Sequence, residues 1–211
     1  GEINFLNLAF RGASKTSPTK VLLAFILLND SSHTRKYIKI LTKDLTNSTQ
    51  FVTDVYNLLV EVESVYGDVF EKEGKTKREE QQGKFTMKSG VKVTAGTVGK
   101  TQRGHVQDAY RPDWLVFDDI EDRDSMNSAV ITQKIIDKVD EAIQGLSIDG
   151  NYVVLGNYIS DIGVIENIKT KNVTLMITPI IDSEGNPTWE RYTKEKIESI
   201  KIDAEDWYGE Y

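Results

Sequence analysis

The sequence predicts an α/β fold in which a mostly parallel central sheet is flanked by helices, and three observations predict it. Short apolar runs of strand character alternate with longer helical patterns along the 211 residues. One of these runs leads through a short basic, glycine-containing loop into a helix-like segment. Another, about a hundred residues later, ends in two carboxylates. Open α/β sheets place their ligand sites at such carboxyl ends of strands.

The first run is Ile3 to Phe10, broken only by two Asn, and the helix-like segment is Val21 to Leu28. Between them stands Arg11-Gly12-Ala13-Ser14-Lys15-Thr16. Strand, loop and helix in that order suit a phosphate-binding loop, because backbone N–H groups and the helix N-terminus form a positive concavity for a polyphosphate. Lys15 would reach the β- and γ-phosphates of ATP, and the Thr16 hydroxyl would ligate Mg²⁺. The pattern G-x-x-x-x-G-K-[ST] has glycine where this chain has Ala9 and Ser14. Arg11 is placed to touch the γ-phosphate or a neighbouring carboxylate; otherwise it is an exposed loop arginine.

Tyr37 to Leu41 alternates as a strand does. Ser48 is then expected to cap an amphipathic helix carrying Phe51, Val52, Val55, Leu58, Leu59, Val62 and Val65 and ending near Gly67. Glu71 to Gln82 is charged and loop-like. Phe85-Thr86-Met87, a turn at Lys88-Ser89-Gly90, and Val91 to Ala95 read as a hairpin. Gly96, Gly99 and Gly104 punctuate a segment rich in Thr, Lys and Arg, as a loop approaching a ligand or backbone would be.

Trp114-Leu115-Val116-Phe117 reads as a buried parallel strand, and Asp118, Asp119, Glu121 and Asp122 follow it. An ATPase of this design needs one carboxylate there for Mg²⁺ and another to orient and deprotonate the attacking water. Asp118 fits the metal role by its position. For the water, Asp119 is adjacent and Glu121 has the longer reach, which favours Glu121. A helix over about Asn127 to Ile143 comes next. Two further buried strands are expected, Val153-Val154-Leu155 and Val173 to Ile177. After a turn at Ser183 to Pro187, a helical pattern resumes at Lys194. Residues 1–182 are thus expected to form the core and 183–211 a helical linker segment.

Composition narrows the class. With no cysteine, disulfides and Cys-based metal sites are excluded, and two histidines are too few for a His-rich zinc site. No run of eighteen apolar residues suits a membrane span, and the N-terminus lacks the order of a signal peptide, so an intracellular protein is expected. The net charge is −7, yet Gly74 to Gly104 holds eight Lys/Arg against two acidic residues. A basic segment on an acidic body suits local phosphate contact, or a solvated loop.

Taken together, these motifs resemble the ATPase domain of tailed-phage large terminases, the DNA-packaging motors. The resemblance rests on Ala9 to Thr16 as a deviant P-loop with a basic residue before its Gly. It rests further on Arg103-Gly104, on Arg111-Pro112-Asp113, and on the strand end Asp118-Asp119-Ile120-Glu121. Leu155-Gly156-Asn157-Tyr158 is similar to the motif that couples hydrolysis to movement, and Trp207 to Tyr211 to the passage into the nuclease. It implies a P-loop NTPase of the ASCE type that uses ATP and Mg²⁺. The catalytic set would be Glu121 or Asp119, Arg103, Arg11 and Asn157, with Arg11 to Thr16 binding nucleotide. Arg103 is the candidate arginine finger acting in a neighbouring subunit, with Arg111 second. Lys75, Lys77, Arg78 and Lys100 are possible DNA-backbone contacts, and His105 is a loop residue. The family has Glu where Asp119 stands, and its upstream segments that help hold adenine are missing from this chain, so reduced nucleotide affinity is expected. No nuclease activity is expected of it. The implied partners are double-stranded DNA, the portal protein, the small terminase subunit and further copies in a ring, a pentamer by resemblance, in the host cell cytoplasm. Two alternatives remain: a helicase-like DNA-dependent ATPase, and a nucleotide-sensing module that docks on the portal without turnover.

Overall fold

The computed structural model describes residues 4–30, 34–70, 83–99, 110–122, 127–157 and 162–203. In chain order its elements are β1 (Phe5–Ala9), α1 (Thr16–Asn29), β2 (Tyr37–Thr42), α2 (Leu45–Glu61), α3 (Glu63–Tyr66), β3 (Lys84–Thr86) and β4 (Lys92–Thr97). There follow β5 (Trp114–Asp118), α4 (Ala129–Gln144), β6 (Asn151–Gly156), α5 (Val164–Lys169), β7 (Thr174–Thr178) and α6 (Lys194–Asp203). The strands form one sheet in the order β3-β4-β2-β5-β6-β1-β7. Every neighbouring pair is parallel except β3 with β4, which is the hairpin expected from Gly90. The fold is therefore the mostly parallel α/β sheet that the alternating pattern predicts.

Side chains alternate across each strand, so the sheet builds two cores. On β5, Trp114 and Val116 join Ile38, Ile40, Val153 and Leu155 beneath Leu23 and Leu27 of α1 and Phe51, Val55 and Leu59 of α2. Leu115 and Phe117 join Leu6, Leu8, Tyr152 and Val154 on the other face, under Val139 of α4 and Val164, Ile165 and Ile168 of α5. All five residues of β5 are buried. A strand covered on both faces reads as one unbroken apolar run, which is why Trp114 to Phe117 was legible.

Four local readings are corrected. The cap of α2 is Asp44, whose carboxylate accepts from the Asn47 N–H at 2.8 Å, while Ser48 lies one turn inside the helix and its hydroxyl donates to Leu45 O at 3.1 Å. The alternation of β2 suggested one wet face, but all six residues are buried because β2 lies between β4 and β5. Conversely, β7 is an edge strand, and Leu175, Met176 and Ile177 are exposed rather than buried. The short helix α5 was not anticipated; six residues give too little periodicity to detect.

After β7 the chain turns back over the end of β1. Phe10, Ile180 and Ile197 form a third, small core with Trp189 and Tyr192 against it. Replacing Asp44 with Ala is expected to destabilise the protein by about 1 kcal/mol. Ser48→Ala should cost less, and urea unfolding of the two variants measures the difference.

Candidate nucleotide site

The P-loop leaves β1 at its carboxyl end and enters α1 at Thr16. Gly12 takes φ +88, and a Cβ there would lie 2.7 Å from the Tyr192 hydroxyl, so both the backbone and the space demand glycine. Ser14 stands where the general pattern has its second glycine, and it adopts φ +56. The loop thus keeps the left-handed turn of a glycine with a side chain that disfavours it. Helix α1 has no side-chain cap and no acidic residue in its first turn, whereas α4 is capped by Ser128 as α2 is by Asp44. Pro18, which has no N–H to satisfy, fits that first turn. An uncapped N-terminus with the Lys15 and Thr16 side chains beside it is a site for an anion.

Three adjacent strand ends converge there, because β6 lies between β1 and β5. The Thr16 hydroxyl donates to Asp118 Oδ1 at 3.1 Å. The Lys15 ammonium donates to Asn157 Oδ1 at 3.0 Å and pairs with Asp119 Oδ1 at 3.0 Å. Thr19 ties the turn from below by donating to the Lys15 carbonyl at 3.0 Å. Asp119 has φ +45, a conformation that turns the chain sharply at the end of β5. Among the described residues, Ser14 and Asp119 are the non-glycine positions with positive φ, and both belong to this site.

Burial, with the charge of Asp119 second, pushes the Asp118 carboxyl up to about 6, against the pull of the Thr16 hydrogen bond and the Lys15 and Lys20 charges. Burial also raises Glu121, opposed by backbone N–H groups of Val164 and Ile165. The Glu121 carboxylate therefore sits on the first turn of α5, hydrogen-bonded to the Val164 N–H, and not beside Lys15. Gly156 lies against the same helix: a Cβ on it would be 2.7 Å from Ile165 Cδ1.

The donors at Thr16 and Asp118 are hard oxygens, the set Mg²⁺ prefers when it shares its shell with water and phosphate oxygens. Among the described residues no group of three or more His, Asp or Glu could hold a metal alone, so such an ion would be held jointly with a substrate. Arg11 and Ala13 flank Gly12 in the loop, with Arg11 exposed. Arg103, His105, Lys75, Lys77, Arg78, Lys100, Tyr158 and the Trp207–Tyr211 segment lie outside the described residues. Arg111 lies at the opposite edge of the sheet, ahead of β5, in a cavity of about 1010 Å³ with Arg35, Lys36 and Asp113. The five residues of β5 separate it from Asp118 by roughly 17 Å at the usual strand rise. It cannot serve the nucleotide of its own subunit.

Comparison with solved structures agrees with this geometry. The ATPase domain of the large terminase of Thermus phage P74-26 superposes with TM-score 0.56 at 11% identity, covering 99% of this chain and 86% of that one. The chain has the fold of a large-terminase ATPase domain. A complete large terminase from a thermophilic bacteriophage is similar at TM-score 0.54 and 12% identity, over 97% of this chain and 46% of that one. The chain thus spans about half the length of that terminase. A DEAD box protein of Methanococcus jannaschii matches at TM-score 0.50 and 15% identity, over 97% and 53%. No protein-family model and no curated protein matches the sequence. The terminase-like strand order places the two motifs together as the sequence predicts, and the mixed α/β sheet is that of P-loop ATPases.

Asp118 gives a signed pH dependence. Its folded value of about 6 exceeds the ordinary 3.8, so the folded protein holds this proton more tightly than the unfolded chain does. The carboxyl costs nothing below pH 3.8 and lowers stability progressively up to about pH 6. Asp118→Asn is accordingly expected to stabilise the ligand-free protein by about 2 kcal/mol at neutral pH and by nothing in acid, as read from melting temperature against pH. Ser14→Gly should relieve the left-handed turn and add about 1 kcal/mol, measured by denaturant unfolding.

Proposed function

We propose that this chain is a Mg²⁺-dependent ATPase module whose turnover drives double-stranded DNA into a viral procapsid. The observation that carries the reading is the meeting of Lys15, Thr16, Asp118, Asp119 and Asn157 at three neighbouring strand ends, within a fold shared with terminase ATPase domains. Localisation in the host cytoplasm, with portal, small terminase subunit and a ring of copies as partners, follows from the same likeness.

In this reading the P-loop N–H groups and Lys15 bind the phosphate chain, and Thr16 with Asp118 would hold Mg²⁺. The ion supplies neutralisation of phosphate charge when bound. Lys15 now rests on Asp119 and Asn157, so an incoming γ-phosphate competes with Asp119 for the ammonium. Its arrival frees the Asp119 carboxylate to orient and deprotonate the attacking water, with Asn157 positioned to hold that water or sense the phosphate. Glu121, favoured on reach alone, is assigned instead to holding α5 against the strand end. It links the site to the Gly156–Ile165 contact, a route for passing motion away from the nucleotide. An arginine from a neighbouring copy, Arg103 or Arg111, completes charge neutralisation in a ring, and Arg11 serves the γ-phosphate from within.

The test is steady-state hydrolysis of Mg-ATP against protein concentration, with and without double-stranded DNA. Lys15→Ala and Asp119→Asn are each expected to lower turnover at least about a hundredfold, while Glu121→Gln, which keeps an acceptor for Val164, retains it. A folded Glu121→Gln protein that is inactive beside an active Asp119→Asn protein would reverse the assignment. The DEAD box likeness favours a second reading as a helicase-class ATPase. Stimulation by single-stranded RNA or DNA and not by duplex DNA selects it.

A further inference from the structure

The P-loop accounts for a triphosphate but leaves the rest of the nucleotide without a described contact. The topology says which way it points. The carboxylates and Asn157 stand on the β5 and β6 side of β1, so the γ-phosphate lies on that side. The nucleoside end of the chain therefore leaves toward the other neighbour of β1, which is β7.

On that side the loop after β7 brings an aromatic group onto the P-loop. The Phe10 N–H donates to the Thr178 carbonyl at 3.2 Å, which fixes the end of β7 beside the start of the loop. Tyr192 meets Phe10 edge-on with ring centroids 5.4 Å apart, and its hydroxyl lies over Gly12. Trp189 stands 5.9 Å from Tyr192 and 6.5 Å from Phe10, and the Arg191 guanidinium lies 5.7 Å from the Trp189 ring. Trp189 and Tyr192 are both half-buried, and Arg191 is exposed. A core made only for stability has little use for a tryptophan and a tyrosine left half in solvent at the mouth of an anion site. Flat π surfaces and a guanidinium are what a heterocyclic base stacks on, and one such stack contributes roughly tenfold or more in affinity.

We propose that Trp189 and Tyr192, assisted by Arg191, form the platform for the nucleobase of the bound nucleotide. This rests on the P-loop reading of Lys15 and deepens it. The aromatic contact comes from the segment after the last strand, and the base packs beside Phe10 at the β7 edge.

Binding of Mg-ATP and of Mg-tripolyphosphate, which carries the phosphate chain without a base, separates the two claims by calorimetry. Trp189→Ala is expected to weaken ATP about tenfold and leave tripolyphosphate unchanged, while Trp189→Phe restores most of the loss. Arg191→Ala, on an exposed side chain, should weaken ATP by a smaller factor without touching the small core. Unchanged ATP affinity in Trp189→Ala overturns the platform. So does an equal loss for ATP and tripolyphosphate, which would mean that the aromatic group only braces the loop. If the unaltered chain binds neither ligand, the P-loop reading fails and the platform with it. If it binds tripolyphosphate as tightly as ATP, the P-loop stands and the platform falls.

Discussion

Parallel pairing of β6 with β1 on one side and β5 on the other is the constraint on which the rest of the site depends. Leu8 pairs with Gly156 and Asp118 with Leu155, so all three strands finish at one level. A slip of one residue would send each strand's side chains to the opposite faces of the sheet. It would exchange the Phe117 and Val154 face for the Val116 and Leu155 face, and both are buried against different helices. The two cores therefore fix the register, and the register brings Lys15 within 3.0 Å of residues more than a hundred positions away. The chemistry is local in space only because the packing is specific along the whole length of the strands.

The site holds its geometry at a cost. A buried carboxylate at Asp118 and left-handed backbone at Ser14 and Asp119 are each unfavourable alone, and they occur together. Strained positions of this kind persist where the surroundings over-determine them. Here the surroundings are β5, with no exposed residue, and α1, held to α2 by the Lys20–Asp54 ion pair and by Lys20 over the Phe51 ring. Stability is concentrated in the middle of the sheet and drawn down at its carboxyl edge.

Much of this was legible in the sequence, for identifiable reasons. The P-loop was readable because its chemistry requires neighbours in sequence, Lys15 and Thr16 at the start of a helix. The acidic strand was readable because burial on both faces leaves no polar residue from Trp114 to Phe117. The choice between Asp119 and Glu121 was not, since side-chain length says nothing about which N–H groups compete for a carboxylate. Val164, which takes Glu121, is 43 residues away and on a helix too short to show a period. The burial of β2 and the exposure of β7 depend on strand order, which no local pattern encodes. Tyr192 over Gly12 joins residues 180 apart and left no local trace.

The outer side of β7 gives the fold one unfinished margin. Among the described residues no strand pairs with that side, and Leu175, Met176 and Ile177 put apolar side chains into solvent on both faces. At the opposite margin the sheet ends in the short hairpin strand β3, flanked by Lys84 and closed with Phe85 in the core. Short and charged edges resist joining another sheet, whereas a flat apolar one invites it. Handled alone in concentrated solution, the protein therefore has a direction of growth: chains would associate along β7, edge to edge, while β3 stays inert.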